Sequence, residues 1–396
     1  MSPEINRKQS NHHLVWVYPG NLTNLINITP RLETTKELRN LGWNVTLIAA
    51  GSTGINNLLG VDFFGIPRPN KYLIRQLVFH TRVCIYLLRE WESIDIILFH
   101  QMSAPWLFSL KPKRFVSGKR RPLFVMDTRT VPMELISKST IPDRIRRFFY
   151  NPINRIANYL ADGQTAITKR MAEGVRIPSH KLWGTWPSGV NLERFSPTQL
   201  LRQWPNEGET IQLIYIGYLD HARNIMALCK SVIQANNKGM VFKLSLVGYG
   251  RQFEELQEFA SHSNNKVRVL HPVPHEQVPE LLAKAHVGVL PFPDEFKFQV
   301  SSPIKLFEYM GAGLPILATK IVCHTDVIEN GNYVFWADEA SEEGLLDALT
   351  KVWNFRDQLS RMGIEAGIAA EQWTWRKSSE KLKFALEEGI NECFEV

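Results

Sequence analysis

The chain has 396 residues, 44% hydrophobic and 21% charged, the balance of a soluble globular protein with material for two cores. Four scattered cysteines form no C-x-x-C pair, which argues against a disulfide framework or a zinc site and suits a reducing cytoplasm. Residues 1–200 hold 27 Lys+Arg against 13 Asp+Glu, a net of +14, while the remaining 196 hold 19 against 26, a net of −7.

In chain order, the N-terminus is polar and lacks the apolar core of a signal peptide. Leu14 to Tyr18 reads as a buried strand ending at Pro19-Gly20, followed by a helix from Leu32 to Leu41. Further strands follow at Val45–Ala50, at Ile94–Phe99 before His100, at Leu123–Met126 before Asp127-Thr128-Arg129, and at Gly163–Ile167. Strands separated by helices imply parallel pairing with right-handed crossovers, hence a doubly wound α/β domain.

Between these strands the positive excess is concentrated, in Lys111, Lys113, Arg114, Lys119, Arg120 and Arg121 and again in Lys138, Arg144, Arg146, Arg147 and Arg155. The second group is interleaved with Ile141, Ile145, Phe148, Phe149, Tyr150, Ile153, Ile156 and Tyr159, a basic amphipathic pattern. Such a pattern suits an anionic membrane surface, and it equally suits a helix whose apolar face meets the core. No nucleic-acid-binding signature accompanies the charge, so no nucleic-acid partner is expected. No run of 18 apolar residues predicts a membrane-spanning helix.

From Ser196 to Thr210 the alternation lapses into a polar stretch that reads as a linker. It restarts with strands at Ile211–Ile216, Phe242–Val247, Val267–Leu270, Val287–Pro291 and Pro315–Thr319, and ends in an amphipathic helix from Trp373. Before the last strand, Ser301-Ser302-Pro303-Ile304-Lys305-Leu306-Phe307-Glu308-Tyr309-Met310-Gly311-Ala312-Gly313 predicts a short helix. Ser301 or Ser302 is its expected cap, Pro303 its first residue, and Gly311 and Gly313 its end. Its N-terminal N–H groups and dipole suit a phosphate, and Glu308 on the same face suits a sugar hydroxyl. The spacing alone fits a capped surface helix with a solvated Glu–Lys pair just as well.

Taken together, these segments resemble the retaining glycosyltransferases of family 4. The resemblance rests on Tyr215-Ile216-Gly217-Tyr218-Leu219-Asp220-His221-Ala222-Arg223-Asn224, on Leu246-Val247-Gly248-Tyr249-Gly250, on His271-Pro272-Val273-Pro274-His275-Glu276-Gln277-Val278-Pro279 and on Ser301–Thr319. It extends to Pro187-Ser188-Gly189-Val190-Asn191-Leu192-Glu193-Arg194-Phe195, before the linker, and is looser in the first half.

The resemblance implies the GT-B architecture, two facing Rossmann-like domains with an interdomain cleft. It places an acceptor domain at residues 1–195, completed by helix 373–396, and a nucleotide-sugar domain at 209–372. The implied reaction is retaining transfer of a hexose-type sugar from a nucleotide-diphospho-sugar to the hydroxyl of a lipid-linked or cell-surface glycan precursor. Metal is expected to be dispensable, and no cofactor is expected beyond the donor. The implied location is cytoplasmic, peripheral to the membrane through the basic first domain.

Site roles carry over residue by residue. Arg223 matches the basic residue that meets the donor diphosphate, and Glu308 the acid that meets the ribose. Ser301, Ser302, Pro303, Ile304 and Lys305 match the diphosphate seat. Gly20 and Gly217 match glycine turns after first strands, and Val273 matches a position that presents backbone to the base. Arg129 stands where many members have a catalytic histidine, which makes it a catalytic candidate with Arg223 and Glu308. His100 and Asp127 are candidate cleft residues. Val300 occupies the position of the family's first motif acid, and Tyr218 that of a second basic residue. These departures favour a second reading, a catalytically weak GT-B protein that binds a nucleotide sugar or serves as a partner subunit. A nucleotide-sugar epimerase is a third.

Overall fold

The computed structural model describes residues 12–22, 28–67, 69–116, 122–131 and 152–394. It divides into two compact units, one of residues up to Pro187 together with those from Trp375, the other Ser188–Thr374. Lys119, Arg120 and Arg121, and Lys138 to Tyr150 of the second basic cluster, lie outside the described residues.

The first unit contains an eight-stranded sheet built from β1 (His13–Asn21), β2 (Asn44–Ala50), β3 (Gly54–Leu58), β4 (Val61–Ile66), β5 (Ile96–Phe99), β6 (Leu123–Thr128), β7 (Gly163–Ala166) and β8 (Leu182–Thr185). Its order is β3-β4-β2-β1-β5-β6-β7-β8, parallel except for the β3–β4 pair. Alternation along β1 and β5 serves two cores. Leu14, Trp16, Ile96 and Leu98 enter one; Val15, Val17, Ile97 and Phe99 enter the other. A strand covered on both faces has to be apolar throughout, which is why these runs are legible in the sequence. The C-terminal helix Trp375–Phe394 completes the first core with Leu382, Leu386 and Ile390.

The β3–β4 hairpin was not expected from the sequence. Its two-residue turn is Leu59-Gly60, with φ of 53° and 76°. Both residues are left-handed, as a type I′ turn requires, but a leucine at the first position gives no turn signal. Asn57 supplies the missing chemistry by bonding across the turn to Asp62 Oδ1 at 2.7 Å and accepting from the Gly60 N–H at 3.3 Å.

The second unit contains six parallel strands, β9 (Ile211–Tyr218), β10 (Phe242–Tyr249), β11 (Val267–Leu270), β12 (Val287–Leu290), β13 (Ile316–Thr319) and β14 (Val334–Ala337), in the order β11-β10-β9-β12-β13-β14. A single apolar core joins them to their helices. Gly217 and Gly248 face each other where β9 and β10 end, and a Cβ on Gly248 would stand 1.8 Å from the Gly217 carbonyl oxygen. The two strand ends approach that closely only because neither carries a side chain there.

Residues 188–208, read from sequence as the end of the first domain and a linker, pack within the second unit. Val190 and Phe195 are buried in its core, and Ser188 exchanges hydrogen bonds with Ser302. The anchor is Arg202, only 7% exposed, whose guanidinium donates to the carbonyls of Leu282, Ala285, Ala312 and Gly313 at 2.7–3.0 Å. Burial lowers its pKa to about 10, and no carboxylate among the described residues pairs with it, so four carbonyl dipoles carry its solvation. Arg202→Ala should cost about 3 kcal/mol or more by stranding those carbonyls. Arg202→Lys should recover less than half, since one ammonium cannot meet four acceptors. Urea denaturation checks both, and an unchanged midpoint in Arg202→Ala would refute the anchoring role.

Candidate functional site

The site of the second unit is assembled from the carboxyl ends of its strands, where open parallel sheets hold their ligands. After β9, Asp220 caps a single 3-10 turn, His221–Arg223, by accepting from the Ala222 N–H at 3.1 Å, and Arg251 Nε holds its other oxygen at 2.8 Å. Asn224 then takes a left-handed conformation (φ 59°) and starts the helix Ile225–Asn237. This tight sequence of turns fixes where Arg223 emerges.

The Arg223 guanidinium carbon lies 5.2 Å from the Phe292 ring centre and 5.9 Å from that of Phe298. The two rings stack on each other at 4.8 Å. Arg223 also reaches the buried Tyr215 hydroxyl, whose pKa burial raises and the arginine charge opposes. No carboxylate among the described residues pairs with Arg223. A cation seated on aromatic faces and left without a counterion is ready for an anionic ligand.

The helix Ile304–Gly311 follows, with Pro303 at the cap position rather than the first helical one. Neither serine caps it, contrary to the sequence reading. Ser301 Oγ donates to the Phe298 carbonyl at 2.7 Å, and Ser302 Oγ accepts from the Ser188 N–H at 3.0 Å. With both hydroxyls engaged elsewhere and no side-chain cap, the helix start keeps its N–H groups for a ligand. Gly311 sits inside the last turn, where a Cβ would come within 2.9 Å of Val190.

Glu308 is 2% exposed, and both its oxygens are engaged. Lys305 Nζ lies 2.7 Å from Oε2 and His275 Nε2 2.8 Å from Oε1. His275 Nδ1 in turn lies 2.8 Å from Arg194 Nη1. An arginine only donates, so Nδ1 is the acceptor and Nε2 carries the hydrogen donated to Glu308. Burial alone would raise the Glu308 pKa, but the Lys305 charge and the hydrogen bond from His275 outweigh it and hold the group at about 2. The carboxylate is therefore charged at neutral pH, and each oxygen keeps a lone pair beyond these contacts.

The structure thus brings Arg223, Ser301 to Lys305 and Glu308 into one continuous set of contacts through Phe298. Val273 lies half-buried in the loop that carries His275. Tyr218 meets Tyr249 edge-on at 5.5 Å, and Val300 is buried at 2% exposure. Sequence reasoning assigned no role to His275 or Arg194, although both stand in segments that carried the resemblance. It also missed the aromatic floor beneath Arg223.

The other candidates stand in the first unit. Gly20 lies under the Tyr18 ring, which a Cβ would strike at 2.2 Å. His100 Nδ1 accepts from the Met102 N–H at 3.3 Å, and burial together with the Arg31 charge lowers its pKa to about 4. Asp127 Oδ1 accepts from Thr165 at 2.8 Å and from the Trp186 indole at 3.0 Å. Arg129 donates to the Trp186 carbonyl at 3.2 Å and lies 3.6 Å from the centre of its ring. Among the described residues no cluster of His, Cys, Asp and Glu forms a metal site, and no helix is long and apolar enough to cross a membrane.

Two doubly wound α/β units, each with a largely parallel sheet, define a GT-B fold. Residues 210–354 match the family described as Glycosyl transferases group 1. Over 355 residues the chain is 23% identical to the phosphatidyl-myo-inositol mannosyltransferase of Mycobacterium leprae (strain TN), covering 87% of this chain and 88% of that protein. Among solved structures, sucrose-phosphate synthase from Thermosynechococcus elongatus shares the fold at a TM-score of 0.74 and 13% identity, covering 94% of this chain and 97% of the other. Anabaena HepE in complex with UDP-glucose does so at 0.68 and 13%, covering 95% and 99%. The chain is a glycosyltransferase of GT-B fold, and residues 210–354 are its group 1 glycosyltransferase domain.

The buried carboxylate has a pH consequence. Because Glu308 is held at about 2 against an ordinary 4.5, its stabilisation is complete above the ordinary value and is lost as pH falls toward 2. The amount is of order 3 kcal/mol at neutral pH. Urea midpoints measured between neutral pH and strong acid should fall more steeply for the native chain than for Glu308→Gln. Parallel pH profiles would count against a buried, ionised Glu308.

Proposed function

We propose that the chain moves a hexose from a nucleotide-diphospho-sugar to an acceptor hydroxyl with retention of configuration at the anomeric carbon, on a lipid-linked or cell-surface glycan precursor. The observation that carries this reading is the pairing of an unneutralised Arg223 with an uncapped helix start and a permanently ionised Glu308 in one domain. The first two suit a diphosphate and the third a ribose. The relatives named above support it, one by its mannosyltransferase name and one by its bound UDP-glucose.

In this mechanism the bond from the anomeric carbon to the diphosphate oxygen lengthens first. Charge grows on the departing phosphate, where Arg223 and the N–H groups at Ile304 and Lys305 stabilise it. The acceptor oxygen attacks the same face, and its proton passes to the leaving phosphate oxygen. Atoms balance without a carboxylate nucleophile, unlike the paired acids of glycoside hydrolases. Arg223 supplies cationic charge where a divalent metal would otherwise act, so transfer proceeds without metal. Val300 in place of an acid gives the domain a stronger grip on the nucleotide than on the sugar.

Titration with nucleoside diphosphates and their sugars, read by thermal shift and by product analysis, tests the reading. One nucleotide should stabilise the chain, its sugar should be transferred with retention, and EDTA should leave the rate unchanged. Arg223→Ala should lower kcat/KM by about 100- to 1,000-fold, and Glu308→Ala should chiefly weaken nucleotide binding. Full activity in both variants, or inversion at the anomeric carbon, would overturn the assignment.

We further propose that the first domain meets an anionic membrane surface. The helix Tyr72–Arg89 exposes Ile74, Leu77, Ile85 and Leu88 along one face. Lys113 sits beside it, donating to the Leu88 carbonyl at 3.4 Å, and Phe108 and Tyr159 add exposed aromatic surface around Lys111. Vesicles containing phosphatidylglycerol should sediment the protein where phosphatidylcholine vesicles do not, and Leu77→Asp with Ile85→Asp should release it. Equal partition to both lipids would contradict the surface.

A further inference from the structure

The helix Leu359–Ala370 of the second domain sets Leu359, Met362, Ala366 and Ala370 into the core. Its outer face carries Ile364 and Ile368, 58% and 62% exposed, with the exposed Arg361 and Glu371 at the two ends. Residues seven apart on an α-helix lie within about 20° of one line, so Arg361 aligns with Ile368 and Ile364 with Glu371. The four form one stripe with the spacing of a coiled-coil seam. The chain 199–204 runs beside this helix. A Cβ on Gly367 would stand 2.7 Å from the Gln199 side chain, and one on Gly363 2.9 Å from the Trp204 ring. That segment brings the exposed Leu201 to the helix flank together with Leu200, at 90% the most exposed large apolar residue among those described.

Each charge stands at the wrong end of its own helix. Arg361 is in the first turn, against the positive end of the dipole, and Glu371 directly follows the last helical residue, against the negative end. Local pairing compensates only the arginine, and weakly. Its Nε lies 3.8 Å from Glu365 Oε1 and its Nη2 donates to Gln358 Oε1 at 2.7 Å, both at the surface. A base four residues before an acid is also the less favourable order on a helix. Glu371 has no ion-pair partner among the described residues. A second copy of the helix, laid antiparallel on the first, cures both misplacements. Arg361 and Glu371 are each five positions from Ala366, and Ile364 and Ile368 each two. A two-fold axis at the level of Ala366 therefore sets Arg361 against Glu371 of the other copy and Ile364 against its Ile368. Each charge then also lies beside a helix end of opposite sign. A parallel pair would instead set arginine against arginine and glutamate against glutamate.

We propose that this face joins two copies of the chain in a two-fold dimer, with the helices Leu359–Ala370 antiparallel across the axis. Ile364, Ile368, Leu200 and Leu201 are covered in it, and Arg361 meets Glu371 at both ends. A surface of one charge, such as an anionic membrane, would oppose one end of the stripe. Only a partner whose charges run the reverse way meets both ends, and the chain itself is such a partner. The dimer uses no residue of the nucleotide site, so it stands or falls apart from the transferase reading.

Sedimentation velocity of the full chain, from about 1 to 100 µM, tests the pairing. A reversible shift from the mass of the chain to twice that mass is expected. Ile364→Asp should raise the dimer Kd by about tenfold or more. Arg361→Glu should raise it by about tenfold as well, because it sets acid against acid at both ends, and adding Glu371→Arg should restore it. The three positions are exposed, so the variants should melt as the native chain does; if Ile364→Asp does not, Ile368→Asp replaces it with the same expectation. A monomer at every concentration, or a dimer indifferent to both single substitutions, overturns the interface. A double variant as weak as Arg361→Glu alone overturns the antiparallel register.

Discussion

The second domain is organised around keeping one buried carboxylate charged. An isolated carboxylate at 2% exposure would neutralise itself, because desolvation there exceeds anything a single hydrogen bond returns. Three separate chain segments prevent this. The helix Ile304–Gly311 supplies Lys305 from one turn before, the loop after β11 supplies His275, and the short helix Leu192–Phe195 carries Arg194 behind the histidine. Each segment thus contributes one member of the chain of contacts that ends on Glu308. The charge is therefore a structural cross-link between these segments, and each oxygen retains a second lone pair.

A related logic appears wherever this protein buries a guanidinium. Arg202 spends its donors on four backbone carbonyls and draws residues 188–208 onto the second domain. Arg129 has only the Trp186 carbonyl and ring, with Asp127 already committed to other donors. The contrast separates the two by physics rather than by position. A fully satisfied buried cation is an anchor, while one with an open donor leaves part of its desolvation uncompensated.

The sequence made the architecture legible because both sheets, apart from the antiparallel β3–β4 pair, are parallel and their central strands are covered on each face. Most of their central strands had to be apolar runs, and ten strands were read from the alternation of such runs with helices, the polar β7 and the edge strand β11 among them. β3, β4, β8 and β14 escaped it. β3 and β8 are half-exposed edge strands, β14 is a short edge strand flanked by turns, and the β3–β4 turn uses a leucine in a conformation that sequence statistics assign to glycine or asparagine. The site was half legible. Arg223 and Glu308 were reached through the resemblance, but the residues that support them and were missed lie 33 to 114 positions from their partners, as with His275 to Glu308, Arg194 to His275 or Ser188 to Ser302. No local pattern encodes such pairs. Ser302 was misread as a cap for the same reason: its hydroxyl is claimed by a backbone N–H that only the fold brings near.

Arg223 shows how a site tolerates the loss of expected neighbours. Tyr218 removes a second cation and Val300 an acid, so neither a charge pair nor a sugar clamp surrounds it. What surrounds it instead is aromatic, with Phe292 and Phe298 stacked beneath the guanidinium and Tyr215 at its side. Ring faces attract a cation without neutralising it, and they exclude the water that would screen it. A lone arginine on such a floor exerts more of its charge on an incoming diphosphate than one of two solvated cations would. The aromatic floor and the missing basic residue are thus two sides of one arrangement, in which a lower dielectric replaces a second charge.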